Sequence, residues 1–426
     1  LVFVLLKGTL ITVAFQEWGA VYFAHPVFCH EDDNVKKQVE HRLVYSIFRE
    51  ILSDEVHGYL LPIFPIFPTK MLDQPSPIRE GEALDQEALQ TYLRQHWDGF
   101  RKIEGIQQFP GGYSNLTYLL KTNAGEAVLR RPPFGANIRS AHDMGREYRV
   151  LSKLRPVLKT IPQPIVYCED EAIIGAPFYL MERVEGIILR GNLAKQLQWA
   201  PKQMRQVSES AVDTLAALHQ IDIEATGLIE LGKPEGYVGR QVEGWIKRYY
   251  KAETDKVPAM DELAQWMQKN KPAEGPAGLI HNDFKYDNLV LGPDPPHNIR
   301  AILDWEMATV GDPLMDLGTT LAYWTEPKEA RLMPLAAANL TWLPGNLNRQ
   351  EVLHRYAQQR EITITNPVFY YVFGAFKIGV IVQQIYARYQ RGHTQDPRFA
   401  NLLQAVQYFG QRGAAALGKG KISGLD

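Results

Sequence analysis

Cysteine is nearly absent from the 426 residues, with only Cys29 and Cys168 present. Two cysteines cannot build a disulfide framework and do not stand at metal-site spacing, so a reducing cytoplasm is the expected setting. Charge of one sign is not in excess either: 46 lysines and arginines face 48 aspartates and glutamates. A formal charge of −2 gives no reason to expect nucleic acid as a partner. Internal repeats and low-complexity tracts are missing. An apolar run fit to cross a membrane is also lacking. Val368 to Val382 is apolar nearly all round, but it is short and is interrupted by Gly374, Gly379 and Lys377. That pattern predicts a helix buried on most faces, and no membrane partner. The length and ordinary apolar fraction suffice for two lobes with a continuous core.

What is present is concentrated between residues 279 and 306. Here His281-Asn282-Asp283-Phe284-Lys285-Tyr286-Asp287-Asn288 is followed by Ile302-Leu303-Asp304-Trp305-Glu306. An aspartate, a lysine, an asparagine and a second aspartate thus stand on two short strand-edge loops. This is the group set that moves a phosphoryl unit from Mg-ATP to a hydroxyl, a reaction in which the protein mainly positions reactants and neutralises phosphate charge. Asp283 is the candidate to accept the proton of the attacking hydroxyl, or to orient it. Lys285 can set a point charge on the γ-phosphate. Asn288 and Asp304 offer hard oxygen donors of the kind magnesium takes beside phosphates and water. His281 suits a hydrogen-bonding role that pins the loop.

The pattern His-x-Asp-x-x-x-x-Asn, then Ile-Leu-Asp-Trp-Glu, resembles the aminoglycoside phosphotransferase and choline kinase-like family. The resemblance covers roughly residues 85–420 and implies an α+β, protein-kinase-like fold. It implies a small β-rich N-lobe for the nucleotide at 71–184, and a larger, mainly helical C-lobe for the catalytic loop and acceptor at 185–426. Asp316, in Gly311-Asp312-Pro313-Leu314-Met315-Asp316, resembles the buried carboxylate that braces such a loop. Leu129-Arg130-Arg131-Pro132-Pro133 looks like the kinase-like half that some acyl-CoA dehydrogenases carry as a fusion. That likeness implies a hydroxyacyl-CoA or related hydroxy acid as acceptor, and a functional link to an acyl-CoA dehydrogenase. The alternatives are an aminoglycoside O-phosphotransferase and a nucleotide-binding pseudokinase with a regulatory role. Loss of Asp283, Asn288 or Asp304 would mark the pseudokinase, and all three are present.

The upstream half has the matching pattern. Ile103 and Ile106 open a strand, Gly111 to Asn115 make a turn, Leu116 to Leu120 are β-rich, and Asn123-Ala124-Gly125 punctuates a hairpin before Ala127 to Arg131. Backbone N–H groups of the glycine turn, with the Ser114 hydroxyl and the Asn115 amide, are candidates to meet phosphates. Alternation puts Val128 and Arg130 on one strand face. Val-x-Arg matches the Ala-x-Lys of kinases, so Arg130 is the phosphate candidate, with Arg131 left open beside it. Its implied glutamate partner is Glu147, in the helical run from Met144. Main-chain groups from Glu182 to Val184 are the candidates for the adenine edge.

Two further expectations concern the ends of the chain. Between Arg349 and Asp426 ten cations stand against four acids, amid many aromatics, which predicts an anionic or amphipathic acceptor rather than a polycationic one. Residues 1–70 lie outside the resemblance and lack the order of charges of a signal peptide. Translation from Met71 is the expectation for them, with a docking segment as the alternative.

Overall fold

A computed structural model describes residues 2–6, 9–13, 74–110, 115–134, 143–194, 196–197, 199–292, 297–332, 339–394 and 396–425. The chain divides into two units, Leu1–Ile66 and Phe67–Asp426. In the first, the described residues form an antiparallel hairpin of β1 (Val2–Leu6) and β2 (Thr9–Val13), with Leu6 opposite Thr9. Cys29, Met71 and Gly111 to Ser114 fall outside the described residues, and with them the proposed start and the glycine turn.

The second unit opens with α1 (Gln86–His96), whose N-cap Asp85 accepts from the Ala88 amide at 2.9 Å. Five antiparallel strands follow: β3 (Ile103–Gln108), β4 (Leu116–Thr122), β5 (Gly125–Arg131), β6 (Pro164–Cys168) and β7 (Phe178–Glu182). Their order is β3-β4-β5-β7-β6. The β4–β5 hairpin closes tightly because Gly125 takes φ 107°, a left-handed conformation costly for other residues.

Alternation along β5 builds two different environments. Ala127 and Leu129 bury against Leu89 and Leu93 of α1 together with Tyr118, Phe178 and Leu180. Val128 turns to the opposite core with Met144, Val150, Leu151 and Leu154 of α2 (Met144–Leu154). Arg130 shares that second face. On α2, Glu147 falls in the same stripe as Met144, Leu151 and Leu154, at helical spacing, so the carboxylate is carried inward with the apolar residues.

Beyond β7 the chain is mainly helical. The helices are α3 (Pro201–Leu218), α4 (Tyr237–Lys251), α5 (Pro258–Lys269), α6 (Pro313–Tyr323), α7 (Arg349–Arg360), α8 (Pro367–Gln390) and α9 (Leu402–Lys419). Four short strands sit among them: β8 (Gly278–Ile280) pairs with β11 (Thr309–Gly311), and β9 (Leu289–Leu291) with β10 (Ile299–Ile302). Two antiparallel ribbons therefore hold the 281–288 and 303–308 loops side by side.

Helix α8 corrects one expectation. At 24 residues it is long and apolar enough to span a membrane by length and composition, so shortness does not argue against a span. Burial does: 78% of its apolar window is covered within the protein, by packing against α4, α5, α6 and α9. Its glycines are not mere interruptions. A Cβ on Gly374 would stand 2.2 Å from the Gly318 carbonyl oxygen of α6, and one on Gly318 would stand 2.1 Å from the Tyr370 carbonyl oxygen. The two helices cross backbone to backbone.

Because that contact leaves no room for a methyl group, Gly374→Ala is expected to lower stability by about 3 kcal/mol, at the upper end of overpacking costs. Urea unfolding measures it, and a loss under about 0.5 kcal/mol would show that the crossing can yield.

Candidate active site

The loop between β8 and β9 starts on a strained residue. Asn282 takes φ 68°, left-handed for a residue that is not glycine, and Asp304, just after β10, takes φ 67°. Such backbone costs on the order of 1 kcal/mol or more and persists only where its surroundings hold it. Around Asn282 the holders are plain. Its N–H donates to Asp316 Oδ1 at 2.8 Å, and its side-chain amide donates to the Met307 carbonyl at 3.1 Å. Lys377 Nζ donates to both its carbonyl oxygen and Oδ1 at 2.9 Å.

Asp316, fully buried on α6, also accepts from the His281 N–H at 2.7 Å and from His219 Nε2 at 3.1 Å. Burial pushes this carboxyl up, but the His219 hydrogen bond leads a set of opposing effects that hold it below the ordinary range. His219, at the end of α3, receives the Tyr356 hydroxyl at 2.7 Å, and burial pushes its pKa down. The role expected for Asp316 as a brace is therefore what its contacts display.

His281 has the pinning geometry. Its Nε2 donates to the Leu303 carbonyl at 2.9 Å, which leaves Nδ1 to accept from the Asp283 N–H at 3.3 Å. Asp283 then receives Lys285 Nζ at 2.9 Å and Asn288 Nδ2 at 2.9 Å. Burial opposes the Lys285 charge, yet Tyr323 and Asp283 raise its pKa, so it stays an ammonium. Asn288 spends its amide nitrogen on Asp283, which turns its oxygen the other way. Leu303 N–H donates to the Asn288 carbonyl at 2.8 Å, tying the first loop to the strand that ends at Asp304.

The cation of β5 completes the arrangement. Arg130 pairs with buried Glu147 through Nη1, and its Nη2 reaches Asp304 Oδ1 at 3.2 Å. Glu147 also accepts from the Trp305 N–H at 3.2 Å. Burial works against the Arg130 charge, but Glu147 leads the neighbours that raise it, so the cation persists. Asp304 is pushed up by burial and pulled lower by Arg130, with a net shift below the carboxylate range. An ionised Asp304 and the Asn288 amide oxygen form an oxygen-donor pair suited to a hard divalent cation. Among the described residues no three His, Cys, Asp or Glu side chains converge on a metal-sized gap.

The remaining candidates divide. Arg131 points away from the cleft, donating to the Ile174 carbonyl at 2.8 Å and covering the Phe134 ring, whereas Arg130 reaches Asp304. Asn115 donates to Glu306 Oε2 at 3.0 Å, joining the residue before β4 to the Asp-Trp-Glu turn. Ser114 lies outside the described residues. The Glu182 side chain faces outward, accepting from the Gln163 N–H at 3.1 Å, and its own N–H donates to the Gln163 carbonyl at 2.8 Å. Val184 instead joins Ile188, Val290, Ala301 and Leu303 in a small apolar patch of its own.

The charge clue is weaker than the count along the chain implies. Of the ten cations between Arg349 and Asp426, Arg349 pairs with Glu329, Arg355 with Asp213 at 2.7 Å, and Arg412 with Glu329 at 3.6 Å. Arg398 meets Asp396, and Lys377 is spent on Asn282. Arg349, Arg355 and Arg412 thus meet carboxylates from other segments, which a count along one stretch of chain cannot register, so the surplus is smaller than the count suggests. The residues that sequence reasoning missed are Lys377, His219 and Glu306. Only Lys377 carried a signal, as the cation interrupting the apolar run from Val368 to Val382.

Residues 105–348 match the profile of the family described as "Phosphotransferase enzyme family". The chain is 35% identical over 318 residues to acyl-CoA dehydrogenase family member 10 of Mus musculus, covering 73% of this chain and 29% of that protein. It is 33% identical over 332 residues to acyl-CoA dehydrogenase family member 11 of Homo sapiens, covering 76% and 42%. The chain thus spans less than half the length of these relatives. A Ralstonia eutropha crystal structure, described provisionally as an aminoglycoside phosphotransferase, shares 31% identity at a TM-score of 0.67. It covers 79% of this chain and 99% of its own. An aminoglycoside 2'-phosphotransferase in complex with GDP has the same fold, at a TM-score of 0.54 and 14% identity, over 79% and 99% of the two chains.

The Asp316 contacts lead to a prediction with a pH signature. Asp316→Asn is expected to cost about 3 kcal/mol at neutral pH, since a buried, fully engaged carboxylate is lost. A depressed carboxyl stabilises above its unfolded pKa of about 3.9, and that contribution is lost as pH falls through the lower native value. The gap between wild type and variant, followed by urea unfolding, should therefore be level above about pH 5 and narrow below about pH 4. A gap of constant width would mean that ionisation of Asp316 is not what holds the loop.

Proposed function

The chain belongs to the phosphotransferase enzyme family, and from that premise we propose that it moves the γ-phosphoryl group of Mg-ATP to a hydroxyl of a hydroxyacyl-CoA or related hydroxy acid. The family and its fold make it a small-molecule phosphotransferase. ATP, magnesium and the acceptor are the proposal. The observation that carries it is the convergence on Asp283 of His281, Lys285 and Asn288, with Asp304 and the Arg130–Glu147 pair on the adjoining loop and strand.

Asp283 orients the acceptor hydroxyl and takes its proton as the oxygen bonds to the γ-phosphorus and ADP departs. Lys285 holds the carboxylate and presents its ammonium to the transferred group. Arg130 supplies cationic charge to the α- and β-phosphates, while Glu147 keeps it extended from β5. Asn288 and Asp304 would hold magnesium, which when bound neutralises phosphate charge and aligns the leaving oxygen. The apolar patch of Val184, Val290 and Leu303 offers a floor for adenine. With Asp283, Asn288 and Asp304 all present and linked, the pseudokinase alternative has little support.

The hydroxyacyl-CoA acceptor is supported by relatives whose names tie them to acyl-CoA chemistry. We extend the reading to a functional link with an acyl-CoA dehydrogenase and to a reducing cytoplasm, the setting in which buried Cys168 stays free. An aminoglycoside acceptor is the second reading, favoured by the Ralstonia structure.

Mg-ATP turnover is expected with 3- or 4-hydroxyacyl-CoAs and not with kanamycin-type aminoglycosides, choline or buffer alone. Phosphorylation of kanamycin instead would move the assignment to the second reading. With the productive acceptor, Asp283→Asn should lower kcat by at least about 100-fold while leaving the KM for ATP within about threefold. A kcat within about tenfold of wild type, a loss under about 1.4 kcal/mol, would sink the role given to Asp283.

A further inference from the structure

Lys377 sits in the middle of α8, buried among Phe373, Phe376 and Val380. An ammonium in such surroundings carries a desolvation cost of several kcal/mol, so its retention calls for a partner that uses the charge or the donors. That partner is a single residue. Both hydrogen bonds from Nζ, each 2.9 Å, go to Asn282, one to its carbonyl oxygen and one to Oδ1. The carbonyl belongs to the peptide that joins Asn282 to Asp283, so fixing it fixes the plane from which the Asp283 side chain departs. The other face of the same residue is held by Asp316 and by the Met307 carbonyl.

We propose that Lys377 is a positioning residue of the reaction, locking the strained 282–283 peptide so that the Asp283 carboxylate faces the transferring phosphoryl group. This rests on the reading of Asp283 as the group that handles the acceptor proton. Burial pushes the Lys377 pKa down to about 8, against the opposing pull of Asp316 and Asp283, so at neutral pH it still donates as an ammonium. The Trp245 ring of α4 lies 6.0 Å from it, and Tyr237 of α4 meets Asn282. The device also explains the backbone crossing at Gly318 and Gly374. Helix α6 carries Asp316 and helix α8 carries Lys377, and their close approach sets the distance between the two groups that grip one loop residue.

The test uses the full chain with Lys377→Met and Lys377→Gln, since glutamine can donate to the Asn282 carbonyl without a charge. Hydrogen–deuterium exchange of peptides covering 279–289 reports the loop without any turnover, and Mg-ADP titration reports the nucleotide site. Steady-state kinetics with Mg-ATP and 3-hydroxybutyryl-CoA separate kcat from KM. In Lys377→Met, loop exchange should quicken about tenfold or more and kcat fall by about 30-fold, with Mg-ADP affinity and KM for ATP held within about threefold. The glutamine variant should recover part of both losses. Loop exchange and kcat within about twofold of wild type in Lys377→Met would overturn the proposal, as would a glutamine variant no better than methionine. Should the methionine variant not fold, the glutamine variant decides. Faster exchange confined to the loop supports positioning, and faster exchange spread equally over α6 and α8 overturns it. A wild-type protein that turns over no acceptor would count against the proposed function, while loop exchange would still decide the fate of Lys377.

Discussion

One carboxylate, Asp316, organises the site. It accepts from two successive backbone N–H groups, those of His281 and Asn282, and from the ring of His219, all at 3.1 Å or less. Those amides are the first of the loop after β8 and have no strand partner to satisfy them, so without Asp316 they would be buried donors left unpaired. With it, the chain can turn through a left-handed residue and deliver Asp283, Lys285 and Asn288 to one side of the turn. The helix that carries Asp316 meets α8 backbone to backbone at Gly318 and Gly374. The position of the site is thus set by helix packing some distance from it.

The opposite wall follows a different logic. Arg130 reaches the cleft because β5 alternates, and Glu147 reaches it because helical spacing puts it in line with Met144, Leu151 and Leu154. Each charged group is drawn inward by the apolar neighbours that share its face. Once inside, the pair is held by mutual charge and by hydrogen bonds to Asp304 and the Trp305 amide, which satisfy much of what burial removes. Sheet, helix and loop therefore meet at one guanidinium.

Where reasoning from the linear chain went astray, it did so for one physical reason. The cation surplus after Arg349 looked like a property of a pocket, yet Arg349, Arg355 and Arg412 find acids supplied by α3 and by the stretch after α6. The apolar run around Gly374 looked like a helix too short for a membrane. It is a 24-residue core helix whose buried lysine reaches across to a loop 95 positions earlier. Both cases turn on long-range pairing, which charge counts and hydropathy along a segment do not contain.

Local order alone determined a good deal. Residue spacing after His281 and strand alternation through Arg130 depend on near neighbours, so Asp283, Lys285, Asn288, Asp304 and Arg130 were legible as a pattern, while the kinase-like fold and the partner Glu147 were implied by the family resemblance that this pattern carries. Tertiary structure decided the rest: that Arg130 and not Arg131 enters the cleft beside Asp304, that His219 supports Asp316, and that Lys377 grips Asn282. Those facts are contacts between residues tens to more than a hundred and seventy positions apart, and a contact of that kind exists only once packing has brought its two halves together.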